Sequence, residues 1–481
     1  MRTPWSTTGT RPGGAGPGRP WLVRGGCALA TAVLAASALP AHAAPAAGST
    51  VQVSVGVGGA PPNGTSWVTG LSADGRYVVF GSYADNLVPG DTNGQPDMFV
   101  RDLRTERTER VSVGNGGAQA AGPSYEGVIS GNGRYVAFTS ADTGLAPDGL
   151  SDARALYVRD RWTGRTERLA TGATSERDEN GREPQQPSIS WDGRYIAFAA
   201  VGGVFVTDRW KGTTRLVSVG AATAPGSVIS TAPRISADGN TVVFISHWDL
   251  PGTEARRAQR TVATPGGPGA DASGEAAERT AGATGRAGAS SDADGGAGIL
   301  KPNYLPLYVH DMRTGRTRGA SIGLNGELTG VPTAGGSISP DGRYAVFTAV
   351  VPETPPNPRG GNLAVFVRDL ERGVTTQVNG DVATAGHGVL TAGGRWVYFT
   401  STEDDLVPGD TNEVDDVFRR DLWTGRTERV SLASDGTQGA EPSWTPFVDA
   451  LGTTAVFVSK GLAAPKSNGY AEVFARRLPP L

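Results

Sequence analysis

A short apolar stretch with aromatic or β-branched ends recurs seven times along the chain. Turn-forming residues bound each copy, which is typical of β-strands. The copies are Tyr77–Phe80, Tyr135–Phe138, Tyr195–Phe198, Thr241–Phe244, Tyr344–Phe347, Trp396–Phe399 and Thr454–Phe457. Nothing in this part of the chain has the period of a long amphipathic helix. The pattern therefore predicts an all-β protein.

Each stretch follows a turn signature whose clearest form is Ser-x-Asp-Gly-Arg. Asp-Gly before a strand indicates a hairpin, because glycine accepts the positive φ that a tight turn needs. The copies begin at Ser72, Ser130, Ser190, Ser236, Ser339, Thr391 and, as a degenerate copy, Asp449. Their spacings are 58, 60, 46, 103, 52 and 58 residues. A repeat of this length indicates an array of similar modules, with an insertion in the longest interval.

A second kind of strand ends in aspartate in six of the modules. These residues are Asp102, Asp160, Asp208, Asp311, Asp369 and Asp421. A short turn follows, clearest as Thr-Gly-Arg, and then another strand such as 109–113. The segment before each turn signature supplies strand A, and the apolar stretch after it is strand B. The strand that ends in aspartate is strand C, and the one after the short turn is strand D. A module therefore holds four strands. Seven such modules predict a seven-bladed β-propeller over residues 51–481.

The two ends of this region complement each other. The seventh module has strands A, B and C, the last of them at 470–474, but no D strand follows. Residues 51–55 resemble the D strand at 110–113. Because an unpaired strand edge invites aggregation, we expect residues 51–55 to pair with 470–476 and close the ring.

The recurring motif S-x-D-G-R-[YW]-h-h-F, where h is apolar, resembles that of the TolB-like and WD-repeat-like propellers of bacterial envelope proteins. The resemblance covers about residues 51–477. It implies the propeller fold. It does not name a function, because this family includes scaffolds, binding modules and a few enzymes.

Residues 1–43 have the order of a secretory signal peptide. Four arginines precede an apolar run from Cys27 to Leu39, and small residues follow at 41–43. We therefore expect cleavage, a linker over 44–50 and a secreted, extracellular protein without a transmembrane segment. The alternative is an uncleaved anchor, although the run is short for a membrane span.

Composition narrows the classes of partner. Without residues 1–43 the chain has 40 basic and 47 acidic residues, a net charge of −7, which argues against nucleic acid. Cys27 is the only cysteine, so disulfides do not stabilise the mature chain. We expect a monomer whose partner is a protein or a cell-wall or glycan ligand.

Up-and-down blades place the A–B and C–D turns on one face, here called the turn face. The B–C and D–A loops then share the opposite face, the loop face. Long and variable connections lie on the loop face, and loops on a rigid scaffold commonly carry binding. We therefore predict that the loop face binds the partner.

Two B–C loops on that face, 87–97 and 406–416, are nearly identical and rich in side-chain oxygens. The candidate metal ligands are Asp91, Asn93, Asp97, Asp410, Asn412 and Asp416. Oxygens at alternate positions suit Ca²⁺, the one cofactor that the sequence predicts. The glutamate of an EF-hand is absent, because its place falls on Asp102 and Asp421. The alternative is that these side chains cap their own loop backbone.

The insertion spans about 251–300, between strands B and C of blade 4. It is rich in Gly, Ala, Thr and Ser and has no apolar period. Such a segment buries too little surface to offset its ordering entropy. We expect a disordered, low-complexity loop on the loop face.

No familiar catalytic motif occurs: there is no Gly-x-Ser-x-Gly elbow, His-Glu-x-x-His or P-loop. Three histidines follow residue 43, and we expect His247 at a strand end, His310 near the turn face and His387 in a D–A loop, too far apart to share a metal. We therefore predict a non-catalytic binding or scaffold protein with no catalytic residues. The alternative is a carbohydrate-binding or carbohydrate-active propeller, either glycosidase-like or lyase-like, since carboxylates are plentiful.

Overall fold

The computed structural model describes residues 47–145, 155–169, 185–218, 230–246, 305–329, 336–350, 363–379, 385–462 and 469–479. By its contacts the chain divides into two units, Met1–His42 and Ala43–Leu481, and every described residue belongs to the second. The predicted signal peptide and the insertion over 251–300 lie outside the described residues. Both remain predictions.

Seven antiparallel four-stranded sheets account for all 28 strands of the described chain. Blades 1 to 3 contain β2 (Ser66–Leu71), β3 (Tyr77–Ser82), β4 (Asp97–Asp102), β5 (Arg107–Arg110); β6 (Ser124–Ile129), β7 (Tyr135–Ser140), β8 (Ala155–Asp160), β9 (Arg165–Arg168); and β10 (Gln185–Ile189), β11 (Tyr195–Ala200), β12 (Gly203–Asp208), β13 (Thr213–Leu216).

Blades 4 to 7 complete the ring. They contain β14 (Ser230–Ile235), β15 (Thr241–Ser246), β16 (Leu307–Asp311), β17 (Arg316–Gly319); β18 (Gly336–Ile338), β19 (Tyr344–Val350), β20 (Leu363–Asp369), β21 (Val374–Gln377); β22 (Ala385–Leu390), β23 (Trp396–Ser401), β24 (Asp416–Asp421), β25 (Thr427–Arg429); and β26 (Ser443–Val448), β27 (Thr454–Ser459), β28 (Glu472–Arg477) with β1 (Thr50–Gln52). Short 3₁₀ turns lie at Val57–Gly59, Thr143–Leu145 and Ala392–Gly394. The predicted seven-bladed β-propeller is confirmed.

Strand β1 completes the seventh sheet. It pairs antiparallel with β28, placing Val51 opposite Ala475. The Val53 nitrogen extends the pairing by donating to the Val473 carbonyl at 2.7 Å. The predicted closure is confirmed, but the regular strand ends at Gln52, because the Ser54 hydroxyl then takes over and accepts from the Val473 nitrogen at 3.0 Å.

The core lies between the blades. Seven clusters of buried apolar side chains fill the interfaces between neighbouring sheets. Val51 and Val53 join the cluster between blades 7 and 1, so the closing strand supplies core as well as hydrogen bonds. Within every blade an aromatic ring of strand B stacks on one of strand C, with centroids 5.4–6.2 Å apart. Burial of these rings contributes to the stability of every blade.

The A–B turn is held by its own side chains. In blade 1 the Ser72 hydroxyl donates to Asp74 Oδ1 at 2.5 Å and accepts from the Tyr77 nitrogen at 2.9 Å. Gly75 adopts a φ of 67°, which a residue with a Cβ rarely takes. Its nitrogen donates to the Ser72 carbonyl at 2.9 Å. These local bonds explain why the signature recurs.

The arginine of the turn signature pairs with the aspartate that ends strand C. The pair forms in five blades at 2.6–2.8 Å: Arg76–Asp102, Arg134–Asp160, Arg194–Asp208, Arg343–Asp369 and Arg395–Asp421. The aspartates also accept from backbone nitrogens of the C–D turn, as Asp102 does from Arg104 at 2.9 Å. They are therefore turn-capping residues. Blade 4 has Asn240 in the arginine position and lacks the pair.

A charge placed in the closing strand should open the ring. Val53 is fully buried whereas Val57 is 55% exposed, so the two valines form a matched pair. We expect Val53→Asp to lower the free energy of unfolding by about 3 kcal/mol or more, because it buries an unpaired carboxylate. Val57→Asp should change it by less than about 0.5 kcal/mol. Thermal unfolding measures both, and equal effects would contradict the closure.

The arginine–aspartate pairs also predict an acid transition. The hydrogen bond from Arg395 lowers the pKa of Asp421 to about 2. Burial of Asp102 and Asp160 works in the opposite direction, but hydrogen bonds to each carboxylate outweigh it and lower each pKa to about 2. An unfolded aspartate titrates near 3.9. The stabilisation is thus complete above about pH 4 and is lost as the pH falls towards 2.

We expect the free energy of unfolding to fall between about pH 4 and pH 2. In the Asp421→Asn variant stability at neutral pH should be lower and the slope across this range shallower, because one linked carboxyl is gone. Denaturant titrations at a series of pH values measure the slope. A variant slope equal to that of the natural sequence would argue against the linkage.

Candidate functional site

Side-chain contacts establish the two faces of the ring. Arg76 of an A–B turn reaches Asp102 at the start of the C–D turn, so these turns share the turn face. Asp91 of the B–C loop accepts from Gln119 of the D–A connection at 2.7 Å, so these loops share the loop face. The predicted assignment of the faces is confirmed.

The structure brings the first candidate metal-ligand set together around an arginine. The Arg110 guanidinium lies 3.2 Å from Asp91 and 3.7 Å from Asp97. Asp97 also accepts from Asn93 at 3.0 Å and from the Ser112 hydroxyl at 2.5 Å. Burial raises the pKa of both aspartates, and the charge of Asp97 adds to the effect on Asp91.

The second set repeats this arrangement in blade 6. Arg429 lies 3.3 Å from Asp410 and 3.5 Å from Asp416. Asn412 donates to Asp416 at 3.0 Å. The Ser431 hydroxyl donates to Asp416, as Ser112 does to Asp97. Both loops are thus folded onto strand D of their own blade.

The arginines change the chemistry that the loop sequences predicted. Each guanidinium lies beside two carboxylates and supplies the positive charge that calcium would supply. Over the described ranges no group of three or more His, Cys, Asp or Glu side chains is placed to hold a metal. Calcium binding therefore stays a prediction, and ion pairing with arginine is the arrangement that the structure contains.

Aromatic side chains surround part of the channel mouth on the loop face. Trp67 of β2 lies 5.5 Å from Tyr83 and 6.3 Å from Tyr125, measured between ring centroids. We call these three residues the aromatic cluster. Trp67 lies flat across Gly81, where an added Cβ would come within 2.3 Å of the indole. Tyr83 is 58% exposed, whereas Trp67 and Tyr125 are half-buried.

Strained backbone lines the middle of the channel. Strand A carries a register shift in six blades. At four of these bulges a residue other than glycine has a φ of 52–54°: Glu126, Gln186, Ala232 and Thr445. Glu126 accepts from the Gln186 nitrogen at 2.9 Å, and the Gln186 side chain accepts from the Ala232 nitrogen at 2.7 Å. Repeated strain of this kind is typical of ligand-facing backbone.

The histidines do not form a site in the described chain. His310 is buried in β16 rather than at the surface, and Thr317 shares a hydrogen bond with its Nδ1 at 2.8 Å. Burial lowers the pKa of His310. His387 lies within strand β22, so its predicted place in a D–A loop is wrong; the strand simply begins earlier than the apolar pattern indicated. His247 lies outside the described residues.

Sequence reasoning missed a set of exposed tryptophans on the turn face. Trp162, Trp210 and Trp423 are 69%, 65% and 74% exposed. Each covers the arginine of its blade's turn ion pair, with 4.8 Å between the guanidinium carbon and the indole centroid. The recurrence of Asp-x-Trp in three C–D turns was the available signal. Cation–π contacts of this kind add an attraction that holds each arginine in its turn.

Comparisons with known proteins agree with the fold and assign no activity. No protein-family model matches the chain, and no curated protein matches it. Oligogalacturonate lyase from Vibrio parahaemolyticus is 10% identical with a TM-score of 0.50, over 89% of this chain and 93% of that one. The β-propeller domain of the Trilobed protease from Pyrococcus furiosus is 10% identical with a TM-score of 0.47, over 86% and 95%.

TolB from Acinetobacter baumannii is 13% identical with a TM-score of 0.36, over 84% of this chain and 80% of that one. The propeller fold that the resemblance to TolB-like proteins implied is confirmed by the seven four-stranded blades. The chain is a seven-bladed β-propeller. Its neighbours include enzymes as well as TolB, so fold alone does not decide its activity. No helix of the described residues is long and apolar enough to span a membrane.

Removal of the loop arginine tests what holds the loop face together. We expect Arg110→Met to lower the free energy of unfolding by about 3–5 kcal/mol, because Asp91 and Asp97 would be left buried without their cation. Arg107→Met, on the exposed side of the same strand, should change it by less than about 0.5 kcal/mol. Equal effects of the two substitutions on the free energy of unfolding would show that the ion pairs of Arg110 do not stabilise the fold.

Thermal melting curves, which measure both variants, also test the calcium prediction on the natural sequence. A melting temperature that chelator lowers and added calcium restores would support an ion in these loops. A melting temperature that neither reagent moves would leave arginine as the only cation the loops need.

Proposed function

We propose that this protein is a secreted, non-catalytic propeller that binds a protein or cell-envelope partner through its loop face. The aromatic cluster carries the proposal. Large, partly exposed rings at the mouth of a rigid ring are typical of recognition surfaces, because they bury much apolar area at little entropic cost. Bulged inner strands beneath it provide a preformed concave floor.

The state of the four aspartates in the two similar B–C loops favours binding over catalysis at these loops. Asp91, Asp97, Asp410 and Asp416 are all engaged by arginines. A glycosidase needs two carboxyl groups that face each other across a substrate. Carboxylates already neutralised by a guanidinium are poor candidates for the two catalytic carboxyl groups of a glycosidase.

Glycan binding at the same place is the second candidate. Trp67 and Tyr125 stack with an interplanar angle of 27°, and the ring of Tyr83 beside them is 58% exposed, which leaves an aromatic surface open to solvent. Sugar rings have apolar faces that stack on such surfaces. One structural neighbour is named as an oligogalacturonate lyase, which makes acidic oligosaccharides a sensible first class to assay.

Partner recovery should depend on the aromatic cluster. With the secreted fraction or purified cell walls as source, we expect Tyr83→Ser to reduce partner recovery at least tenfold without lowering the melting temperature, because Tyr83 is exposed. Trp423→Ser, on the opposite face, is the matched control and should leave recovery unchanged. Equal recovery by all three proteins would exclude the cluster as the binding surface.

A glycan array run with the same three proteins separates the two candidates. Binding to glycans that Tyr83→Ser abolishes would assign a lectin role. Recovery of a protein partner with a blank array would assign a protein-binding role.

A further inference from the structure

The turn-face half of the central channel contains a cavity of about 290 Å³. Every blade contributes the end of its strand A to the wall. Seven apolar side chains form a ring there: Leu71, Ile129, Ile189, Ile235, Ile338, Leu390 and Val448. The volume equals the share of about ten water molecules in the liquid. It lies near the lower limit for small-molecule sites.

Arg234 of β14 is the one charged side chain among the described residues of this wall. Its guanidinium makes one hydrogen bond, from Nη1 to the Pro233 carbonyl at 3.0 Å. Glu126 is the carboxylate that acts on it electrostatically, but Glu126 does not line the cavity and forms no ion pair with it. The remaining donors of Arg234 have no protein partner in the described chain.

Two arginines that are more deeply buried have carboxylate partners. Arg419 and Arg429, with side chains 3% and 6% exposed, each form ion pairs with carboxylates. Arg234 is half-buried and has no carboxylate partner of this kind in the described chain. Burial lowers the pKa of Arg234. Its remaining donors are therefore open to an anionic group of a ligand in the cavity.

We propose that this cavity binds the carboxylate of a small, largely apolar acid, with Arg234 as its anchor. A guanidinium pairs with a carboxylate through two parallel hydrogen bonds. The apolar ring accommodates the rest of the molecule. A polyanion such as a phosphate is a poorer fit, because the wall offers a single positive charge.

The turn face provides the nearer opening. The second residues of the A–B turns are hydrogen-bonded to one another around the mouth, for example Trp191 N to the Ala237 carbonyl at 2.7 Å. Most of these residues are small, but Trp191 is 51% exposed and also lines the cavity. Its indole lies on Gly131, where an added Cβ would be 2.1 Å from Cδ1. Trp191 is therefore placed to report on ligand entry.

This inference is independent of the proposed function, because the aromatic cluster lies at the other end of the channel. Failure of either test leaves the other unaffected. Tyr83→Ser should keep the acid site, and an Arg234 variant should keep the loop-face partner.

A matched pair of probes tests the chemistry. Calorimetric titration of the chain from residue 44 onward with 3-phenylpropionate and with 3-phenylpropionamide should give at least tenfold tighter binding of the acid. A short peptide ending in phenylalanine, as acid and as amide, distinguishes a free acid from a chain terminus as the source of the carboxylate. Equal binding of acid and amide, or no binding of any probe, would overturn the proposal.

Variants test the anchor. We expect Arg234→Gln to weaken binding of the acid at least tenfold while leaving the melting temperature unchanged, because the half-buried Arg234 forms no ion pair in the described chain. Arg234→Lys should bind with intermediate strength, since it keeps the charge and loses the planar fork. Arg419→Gln is the contrast and should lower the melting temperature, because it removes the ion pair with Glu428 and the cation that packs on Trp396. A merely structural Arg234 would behave like Arg419, and retained binding in Arg234→Gln would refute the assignment.

Discussion

The pairing of β1 with β28 is the interaction on which the rest of the propeller depends. Each blade presents apolar side chains on both faces, so each needs a neighbour on either side. Without β1, the outer edge of β28 would be unpaired and the cluster between blades 7 and 1 would lose Val51 and Val53. The contact joins residues 419 positions apart, from Ser54 to Val473, so a single short segment holds the first and last blades together. The channel exists only when that ring is closed, because its wall takes one strand from every blade.

Aspartate has two different tasks in this ring. At the end of strand C it caps a turn and binds the arginine of the preceding A–B turn, which fastens the two hairpins of a blade together on the turn face. In the B–C loops of blades 1 and 6 it binds an arginine of strand D, which fastens the loop to the blade on the opposite face. In both places an ion pair between two parts of one blade fixes the position of a turn or loop. Arginine–carboxylate contacts thus hold connections in place on both faces.

The channel differs between its two ends, although the blades repeat. On the loop face, the glycine at position 81 leaves room for Trp67 to lie flat and to contact Tyr83 and Tyr125. On the turn face, small turn residues leave room for an apolar cavity with one arginine. Between them lie the bulges of strand A, where side chains and backbone of neighbouring blades are hydrogen-bonded. Departures from the repeat at single positions therefore give the two ends of the channel different surfaces.

The sequence by itself determined the number of blades, the strands, the tight turns and the strand that closes the ring. Those features are local or periodic: Ser72, Asp74 and Gly75 satisfy one another within one turn, and apolar alternation marks the strands. Tertiary structure decided what the sequence left open. Arg110 is 13 residues beyond Asp97, and only the pairing of strands C and D brings it between the loop carboxylates that the sequence had suggested for calcium. Three further features also follow from ring closure: the bulges, the burial of His310 and the position of Arg234 among residues from seven blades. No short stretch of chain contains the neighbours that define them.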